Sequence, residues 1–553
     1  MKKIFLFILT ILTGGLSPSY AQDKLTGILT NELMRNFEVM KQLDVPVYYI
    51  SLRVDDSESY NITGSNGAVT QNKYQKGRAM AITMRVGSPA FDNMHYSGNM
   101  QNIKRVALPD TDIEEEIKLS LWRALQQAYS EAKDKLQSNF TEQTTRPAEE
   151  DKSPDFSIEK ASKYYEKPVP FSDLGFDENE FINKTNELSK VLSDNRDVLI
   201  NFVNVTSNLT RGYFIDTDGA SVVQNNPSIR IYLGGYVMAD DGMMLQDYRT
   251  YFGKKVADLP DSEKILSDAR ELSQNLSTLK KSPKIDSYTG PVILSGEVSG
   301  VFFHEFFGHR VEGARMKSGM DAQTLKKKIG ETVLPQRLSV TFDPTRSKYG
   351  NSILSGDYKY DDEGVRGQKV EVIKNGVLTG FLMSRIPIEG FSKSNGHGRG
   401  VLNAGTETRQ SNMIIESTKP VTAKEMHEMF VEELKKRGLK FGYRIEKVSG
   451  GLTMTSSASA NAFYLNPLIV YRVYVDGRPE EMVRGINIVG TPLNAFSQIL
   501  AETGEHAIFN GMCGALSGSV PVSAVAPAML IKELEFQKTG DSQKMDPFIL
   551  ERP

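Results

Sequence analysis

Alternating apolar and polar residues mark the early part of the chain. Short runs of this kind between Val47 and Val86 are separated by turn signals such as Asn66-Gly67. Alternation with a period of two is typical of half-buried strands, and Asn-Gly favours a tight turn whose twist matches that of paired strands. The pattern therefore predicts an antiparallel meander of short strands.

Helical spacing replaces this alternation further along the chain. Apolar residues then recur every three or four positions, at Ile113, Ile117, Leu121, Ala124, Ala128 and Ala132. This period predicts a helix that packs on the sheet. Thr111 and Glu114 have the spacing of a capping box at its start. A second helix is predicted from about Asp261 to Leu279.

The second half of the chain is predicted to consist mainly of strands around one buried helix. Asn375-Gly376 lies between two strand-like runs and is the clearest hairpin signal, and Asp476-Gly477 is another. By contrast, the segment from Gly296 to Val311 is apolar at most positions, which predicts a buried helix. The fold class is therefore α+β. We expect an N-terminal domain of antiparallel sheet with helices, and a C-terminal domain of mainly antiparallel strands around this helix.

Two segments divide the chain. Residues 138–170 are polar and contain several prolines, so they are interpreted as a mobile linker or surface excursion. A second break follows the predicted helix at Lys280-Lys281-Ser282-Pro283. We place the domain boundary near residue 287, between an N-terminal domain of residues 22–287 and a C-terminal domain of residues 288–553.

The N-terminus has the pattern of a signal peptide. Positive residues precede an almost wholly apolar run from Ile4 to Leu12, and small residues stand at the cleavage positions before Gln22. We predict a signal peptide of residues 1–21, cleaved after Ala21. The apolar run is well short of the ~20 residues of a membrane span, so we expect no stable membrane anchor. The protein is expected to be exported, to the periplasm or outside the cell.

Composition excludes one class of partner and raises a question about the thiol. The chain has 553 residues, 39% hydrophobic and 24% charged, and its net charge of -3 is spread without a basic block, so no nucleic-acid partner is expected. Cys513 is the one cysteine, which rules out an intrachain disulfide. A lone thiol in an exported protein is either simply buried or a metal ligand.

Residues 304–310 read HEFFGHR and resemble the metal-binding helix of a metalloprotease with one extra residue. On a regular helix the five-residue step from His304 to His309 would place the two rings about 140° apart. We predict a one-residue bulge with i to i+5 hydrogen bonding, eased by Gly308, that brings both rings to one side. The alternative is two core histidines bonded to backbone carbonyls.

Cys513 would complete such a site chemically. Two imidazoles and one thiolate suit zinc and leave a fourth position for water. The surrounding sequence NGMCGALSGSVPVS is rich in glycine and serine, which predicts a loop that delivers one side chain to the helix. His506, seven residues earlier, is a competing candidate ligand.

Three motifs follow one another along the second half: GVFFHEFFGHRVEG (300–313), YDDEGVRGQKVEVIKNGVLTGFLMSR (360–385) and FNGMCGALSGSVPVSAVAPAMLIKELEFQK (509–538). Together and in this order they resemble the TldD/PmbA family of metalloproteases, specifically its TldD-like, metal-bearing branch. The resemblance implies that His304, His309 and Cys513 are zinc ligands and that Glu305 is the catalytic glutamate. It also implies that unstructured peptides enter an enclosed cavity between the subunits of a dimer and bind as an added strand along a sheet edge.

Three further residues are weaker candidates. Glu312 could orient an imidazole. His397 and Arg399 lie in the glycine-rich sequence SNGHGRG and could line the cavity, with Arg399 holding a substrate carboxylate. For each of the three, the alternative is an ordinary surface or loop residue without chemistry.

These observations predict an exported zinc metalloprotease that hydrolyses peptide bonds in unfolded polypeptides or peptides. Glu305 is expected to act as general base on a zinc-bound water. The partner is expected to be a second copy or a metal-free homologue. Two alternatives stay open: a non-catalytic, zinc-stabilised binding or partner subunit, and a zinc amidase that acts on non-protein amides.

Overall fold

The computed structural model describes most of the chain. The described residues are 23–95, 103–145, 150–317, 321, 323–456, 462–491 and 498–539. The predicted signal peptide and its cleavage position lie outside them.

The α-helices of the described residues are distributed over both halves of the chain. They are α1 (Lys24–Met40), α2 (Glu114–Gln143), α3 (Glu178–Ser193), α4 (Ser262–Lys281), α5 (Gly296–Phe306), α6 (Ala314–Lys317) and α7 (Ala423–Lys436). Short 3₁₀ turns lie at Phe171–Leu174, Val256–Asp258 and Gly308–Arg310.

The strands form one large sheet in each half. Those of the N-terminal half are β1 (Val47–Ser65), β2 (Ala68–Ser88), β3 (Phe91–Asp92), β4 (Ile103–Leu108), β5 (Lys163–Tyr165), β6 (Val198–Asp216), β7 (Ser221–Met238) and β8 (Met244–Gly253). Those of the C-terminal half are β9 (Tyr288–Leu294), β10 (Leu338–Phe342), β11 (Lys348–Tyr349), β12 (Ser352–Ile353), β13 (Val370–Lys374), β14 (Val377–Leu378), β15 (Gly398–Arg399), β16 (Glu407–Thr408), β17 (Asn412–Ser417), β18 (Phe441–Thr453), β19 (Phe463–Tyr474), β20 (Glu481–Val483), β21 (Ile486–Gly490), β22 (Ile499–Ala515) and β23 (Gly518–Lys538).

The N-terminal sheet is built on two long hairpins placed side by side. Its central order is β3-β2-β1-β6-β7-β5, with β4 on β2 and β8 on β7, and only the short β5–β7 pair is parallel. β1 and β2 turn at Asn66-Gly67, where both residues have positive φ (54° and 80°), as the predicted turn requires. The predicted short meander strands are instead two strands of 19 and 21 residues.

The predicted helices of this half are present, with one correction. The apolar positions from Ile117 to Ala132 are buried on α2, which packs on β2. However, α2 is preceded by Ile113 and has no side-chain cap, so the predicted capping box does not form. Asp261 caps α4 by accepting a hydrogen bond from the Lys264 N–H, close to the predicted start.

The C-terminal sheet closes partly on itself around its buried core. β23, β21, β19, β18 and β9 follow one another, and β9 pairs back to β23, which makes a ring of strands. Most pairs are antiparallel, but β9–β18 and β17–β23 are parallel. Helix α5 packs against β23, β18 and β22. The predicted α+β class, with antiparallel sheet first and strands around a helix second, is confirmed.

Both predicted hairpin turns of this half are present. Asn375-Gly376 joins β13 to β14 with positive φ at both residues (47° and 80°). β19 ends before Asp476-Gly477, and the chain returns to pair with it as β20. The C-terminal sheet begins with β9 at Tyr288, next to the domain boundary placed near residue 287.

Residues 150–170 make specific contacts with both halves, in contrast to the mobile linker that their polar composition predicts. The Ser157 N–H donates to the Arg385 carbonyl, and Asp155 accepts from the Asp92 N–H. β5 adds a parallel strand beside β7. The polar residues here form hydrogen bonds with the two halves, and composition alone does not reveal these bonds.

No helix among the described residues is long and apolar enough to cross a membrane.

Candidate metal centre

The spacing of His304 and His309 is accommodated by the end of α5. The last helical bond runs from the Phe307 N–H to the Phe303 carbonyl (3.0 Å), and the next runs only three residues back, from Arg310 to Phe307 (2.8 Å). The predicted bulge with i to i+5 bonding is therefore wrong, because a tighter 3₁₀ turn follows the helix instead. This turn places the two imidazoles with their centroids 4.8 Å apart.

Position 308 requires a glycine because the Gln410 side chain lies very close to its backbone. A Cβ at this position would overlap the Gln410 side chain. Gln410 in turn donates from Nε2 to the His304 carbonyl (3.3 Å), one of the carbonyls left without a helical partner at the end of α5. Glycine thus lets the turn and Gln410 pack together, although its φ is not in the left-handed region.

Cys513 comes to the two histidines from a strand. It lies on β22 opposite Val520 of β23, so the predicted loop is in fact the end of a long hairpin. Its Sγ is 3.1 Å from His304 Nε2 and 3.5 Å from His309 Nε2. The three candidate ligand atoms lie within 4.8 Å of one another, and all three residues are buried.

The charges of this cluster favour the ligand form of the thiol. Burial raises the pKa of Cys513, but the neighbouring His304 and His309 outweigh it and hold the pKa well below its ordinary value. The thiolate is the form that binds a metal. A thiolate and two imidazoles facing one point make a binding site for a soft or borderline metal ion.

Glu312 orients one of the imidazoles. Its Oε2 is 3.0 Å from His309 Nδ1, which leaves Nε2 of that ring facing Cys513. Burial raises the pKa of Glu312, but His309 and Arg315 overcome this and lower the pKa to about 2. Arg315 donates from Nε to the same carboxylate oxygen (2.7 Å). Arg315 was not found from the sequence, although it stands one helical turn after Glu312.

Glu305 lies beside the cluster, on the wall of a cavity. Burial raises the pKa of its carboxyl, with the two histidines acting in the opposite direction. Gly451 packs directly on this side chain, because a Cβ there would overlap Glu305 Cγ. The sequence indicates no such role for Gly451, whose partner lies far away along the chain.

His397 and Arg399 do not line this cavity. His397 is fully buried, with Nε2 3.1 Å from Ser411 Oγ, and burial lowers its pKa to about 3. Arg399 donates to the carbonyls of Gln410 and Pro521 (2.7 and 2.8 Å). Both side chains hold the loop to its surroundings. The predictions that they line the cavity and that Arg399 holds a substrate carboxylate therefore do not fit the structure.

His506 is also separate from the cluster. Its Nε2 is 2.9 Å from the Ile415 carbonyl, and its ring packs at a tilt against Tyr349. Among the described residues, the only group of histidine, cysteine and carboxylate side chains placed to hold a metal is His304, His309 and Cys513.

The cavity lies between the two halves of the molecule and has a volume of about 810 Å³. His304, Glu305, His309 and Cys513 belong to its C-terminal wall. The N-terminal sheet supplies the facing wall, with side chains that the sequence did not single out: Arg230, Tyr232, Tyr248 and Thr250. A molecule bound beside the candidate ligands would therefore contact both halves.

The C-terminal half matches a known family. Residues 287–538 match the PmbA/TldA metallopeptidase C-terminal domain. The chain is 24% identical over 327 residues to a protein named metalloprotease from Methanothermobacter thermautotrophicus, covering 58% of this chain and 65% of that protein. The C-terminal half of the chain belongs to the TldD/PmbA family. The chain is also 27% identical to a zinc metalloprotease TldD homolog from Saccharolobus solfataricus, over 48% of this chain and 57% of that one.

The fold of this TldD/PmbA member extends over nearly the whole chain. The crystal structure of TldE from Thermococcus kodakarensis superposes with a TM-score of 0.63 at 16% identity, covering 92% of this chain and 100% of that one. This likeness concerns the fold alone. The two curated relatives are each matched over less than two-thirds of their own length.

Proposed function

We propose that this TldD/PmbA member is an exported zinc metalloprotease that hydrolyses peptide bonds in unfolded polypeptides or peptides. One arrangement carries the proposal: His304, His309 and Cys513 converge within 4.8 Å, and Glu305 lies beside them on the cavity wall. The name metalloprotease, carried by both curated relatives, agrees with it.

The residues present fit zinc. Two imidazoles and a thiolate are ligands that zinc accepts, and three protein ligands are the number typical of catalytic rather than structural sites. His304, His309 and Cys513 would hold the ion, and Glu312 would keep His309 in the tautomer that offers Nε2. When bound, zinc supplies a Lewis acid and lowers the pKa of water toward neutrality.

Glu305 is the proposed general base. Its carboxyl lines the cavity next to the ligands, within the space a reacting water would share. Burial raises its pKa, which makes it a better proton acceptor than an ordinary glutamate. Glu305 would take the proton of the attacking water and give it to the leaving amine.

The cavity supports an extended substrate. β9 pairs with β18 only at Tyr443–Ile445, and the later residues Ser449–Thr453 line the cavity. Their backbone could pair with an added peptide strand. A cavity lined by both halves would admit an unfolded segment more readily than a folded domain. The natural assembly is proposed to be a homodimer or a heterodimer with a metal-free homologue.

The proposal is tested by comparing the purified wild type with Cys513→Ser and Glu305→Gln. Metal content is measured by mass spectrometry, and cleavage of an unfolded polypeptide is followed in parallel. We expect about one zinc per wild-type chain, less zinc in Cys513→Ser, and full zinc in Glu305→Gln with cleavage reduced on the order of 10²-fold or more. Glu428→Gln, on the exposed side of α7, is the matched control.

The alternatives predict different results. Bound zinc without cleavage of any peptide would favour a non-catalytic partner subunit. Hydrolysis restricted to non-protein amides would favour an amidase. A wild-type protein that neither contains zinc nor takes it up on reconstitution would overturn the proposal. The mass of the protein from an exporting host tests the proposed cleavage after Ala21.

A further inference from the structure

Arg230 brings a positive charge into the cavity from the N-terminal half of the molecule. It lies on β7 and lines the same cavity as His304, His309 and Cys513. Its Nη1 donates to the Asn510 carbonyl (2.9 Å) and to Thr250 Oγ1 (3.4 Å). The guanidinium is also 5.2 Å from the centroid of the Phe252 ring. These contacts hold the side chain in place at the junction of the two halves.

No aspartate or glutamate among the described residues forms an ion pair with Arg230. The other arginine of this cavity differs, because Arg315 is paired with Glu312 and Asp321. Burial lowers the pKa of Arg230, with no opposing charge to offset it. A half-buried cation without a carboxylate is costly, which indicates that its anion comes from outside the chain.

The Arg230 guanidinium has hydrogen-bond donors that the described residues leave unused. Within the described part of the chain, Nη1 makes its side-chain hydrogen bonds, whereas Nε and Nη2 make none. Nε and Nη2 form one edge of the guanidinium fork, which matches the two oxygens of a carboxylate. The neutral partners of Nη1, an amide carbonyl and a hydroxyl, orient this fork without neutralising it.

Arg230 contacts β22, the strand that carries Cys513, and the point of contact relates its guanidinium to the candidate metal ligands. Its backbone partner, Asn510, is three residues before Cys513 on the same strand. At about 3.3 Å per strand residue, the backbones of Asn510 and Cys513 are roughly 10 Å apart, and the Arg230 guanidinium is hydrogen-bonded at the Asn510 end of this stretch. An extended peptide of two or three residues covers this distance.

We propose that Arg230 binds a carboxylate of the peptide substrate, with the C-terminal carboxylate as the principal source, so that short C-terminal fragments are released. This inference rests on the proposed function. Water adds across one peptide bond: the acyl carbon gains the hydroxyl, and the departing nitrogen gains the proton. The released fragment keeps the carboxylate held by Arg230 and acquires a free amine.

A matched peptide series separates the two sources of the carboxylate. One neutral sequence without Asp or Glu is made as the C-terminal acid and as the C-terminal amide. A third peptide is the amide with one internal glutamate, and a fourth carries glutamine at that position. kcat and KM are measured separately with the zinc-loaded full chain, and the products are identified by mass.

Arg230→Gln and Arg230→Lys are compared with Arg270→Gln, which changes an exposed arginine of α4. We expect the wild type to cleave the acid about 10- to 100-fold more efficiently than the amide, as is typical when a site loses a charged hydrogen-bond partner. In Arg230→Gln the KM for the acid should rise to that for the amide, so that the preference disappears. Arg230→Lys should keep part of the preference, and Arg270→Gln all of it.

Binding separates failure of this inference from failure of the proposed hydrolysis. The same peptides are titrated onto zinc-loaded Glu305→Gln, with and without Arg230→Gln, by calorimetry. A carboxylate preference in binding that depends on Arg230 supports the inference even if no peptide is cleaved. Preference for the internal glutamate would identify a side-chain carboxylate as the source. Equal binding of acid, amide and glutamate peptides by correctly folded wild type overturns it.

Discussion

Two buried glutamates near the metal centre have opposite electrostatic environments. Glu312 contacts His309 and Arg315, and these partners lower its pKa to about 2 against the effect of burial. For Glu407, burial dominates and raises the pKa to about 7. Its Oε1 makes no hydrogen bond with any described residue. The first carboxylate stabilises its surroundings when charged, whereas the second is destabilising when charged.

Glu407→Gln is therefore predicted to stabilise the protein at high pH. Below the unfolded-state pKa of about 4.5, Glu407 is neutral in both states and the substitution removes no charge. Between 4.5 and about 7 the unfolded state ionises first, so the wild type loses stability as the pH rises. The variant should gain roughly 2 kcal/mol relative to the wild type between pH 5 and pH 8.

Denaturant unfolding at both pH values measures this change. A chelator is present throughout, so that metal release does not vary with pH. Glu428→Gln, an exposed glutamate, should show little pH-dependent difference from the wild type. A stability difference for Glu407→Gln that is the same at both pH values would contradict the assigned environment.

At the residue scale, the sequence predicts what is local. His304, Glu305 and His309 stand in one short motif, and Glu312 follows within a turn, so their shared role can be proposed from spacing. Arg230 could not be found this way, because its significance comes from the lack of a carboxylate partner among the described residues of the folded chain. Cys513 could be proposed as a metal ligand from its chemistry, and the family resemblance implied that it joins His304 and His309.

At the scale of elements, the candidate metal centre depends on how α5 ends. His304 is in its last turn, and His309 is in the 3₁₀ turn that follows. The sequence predicts a bulge because it shows only that regular helical spacing fails. Ending the helix solves the same geometric problem, and Gln410, from a distant segment, satisfies a carbonyl at that end. Local sequence does not distinguish the two solutions.

Gly308→Ala is predicted to weaken metal binding by about tenfold or more, because the new Cβ overlaps Gln410 and the turn that carries His309 must shift. Gln410 is 1% exposed and has little room to move. Zinc affinity is measured by competition with a chelator. Gly514→Ala is the matched control, since a Cβ there has no neighbour within 4 Å.

A second substitution tests the cause. If overlap with Gln410 is responsible, adding Gln410→Ala to Gly308→Ala should restore part of the zinc affinity. If the close approach of Gln410 to Gly308 were unimportant, Gly308→Ala and Gly514→Ala would have equal zinc affinities.

Sheet elements show the same limit on prediction. Asn66-Gly67 and Asn375-Gly376 identify hairpins, because the turn chemistry is local. The partners of the remaining strands are set by distant packing. The pairing of β9 with both β18 and β23 joins residues about 150 and 240 positions apart, and it closes the ring that supports α5.

At the scale of the whole molecule, the cavity exists because the two halves are held against each other. Phe156, in the segment expected to be a mobile linker, lies between them. Its ring centroid is 4.0 Å from the guanidinium carbon of Arg85 in the N-terminal half and 4.0 Å from that of Arg385 in the C-terminal half. It also packs on Tyr49 at 4.7 Å. Both arginines have acidic partners as well, so the ring fills the space between two fixed charges.

Phe156→Ala is predicted to destabilise the association of the two halves by about 3–5 kcal/mol, as is typical of removing a buried aromatic ring. Ile158→Ala is the matched control in the same segment, because Ile158 is 69% exposed and should cost less than about 0.5 kcal/mol. Thermal unfolding and limited proteolysis near residues 150–170 measure the difference. Zinc affinity in the folded protein should be the same in both variants, since Phe156 does not contact the metal ligands. If Phe156→Ala were as stable and as protease-resistant as Ile158→Ala, the segment would have no part in holding the cavity walls together.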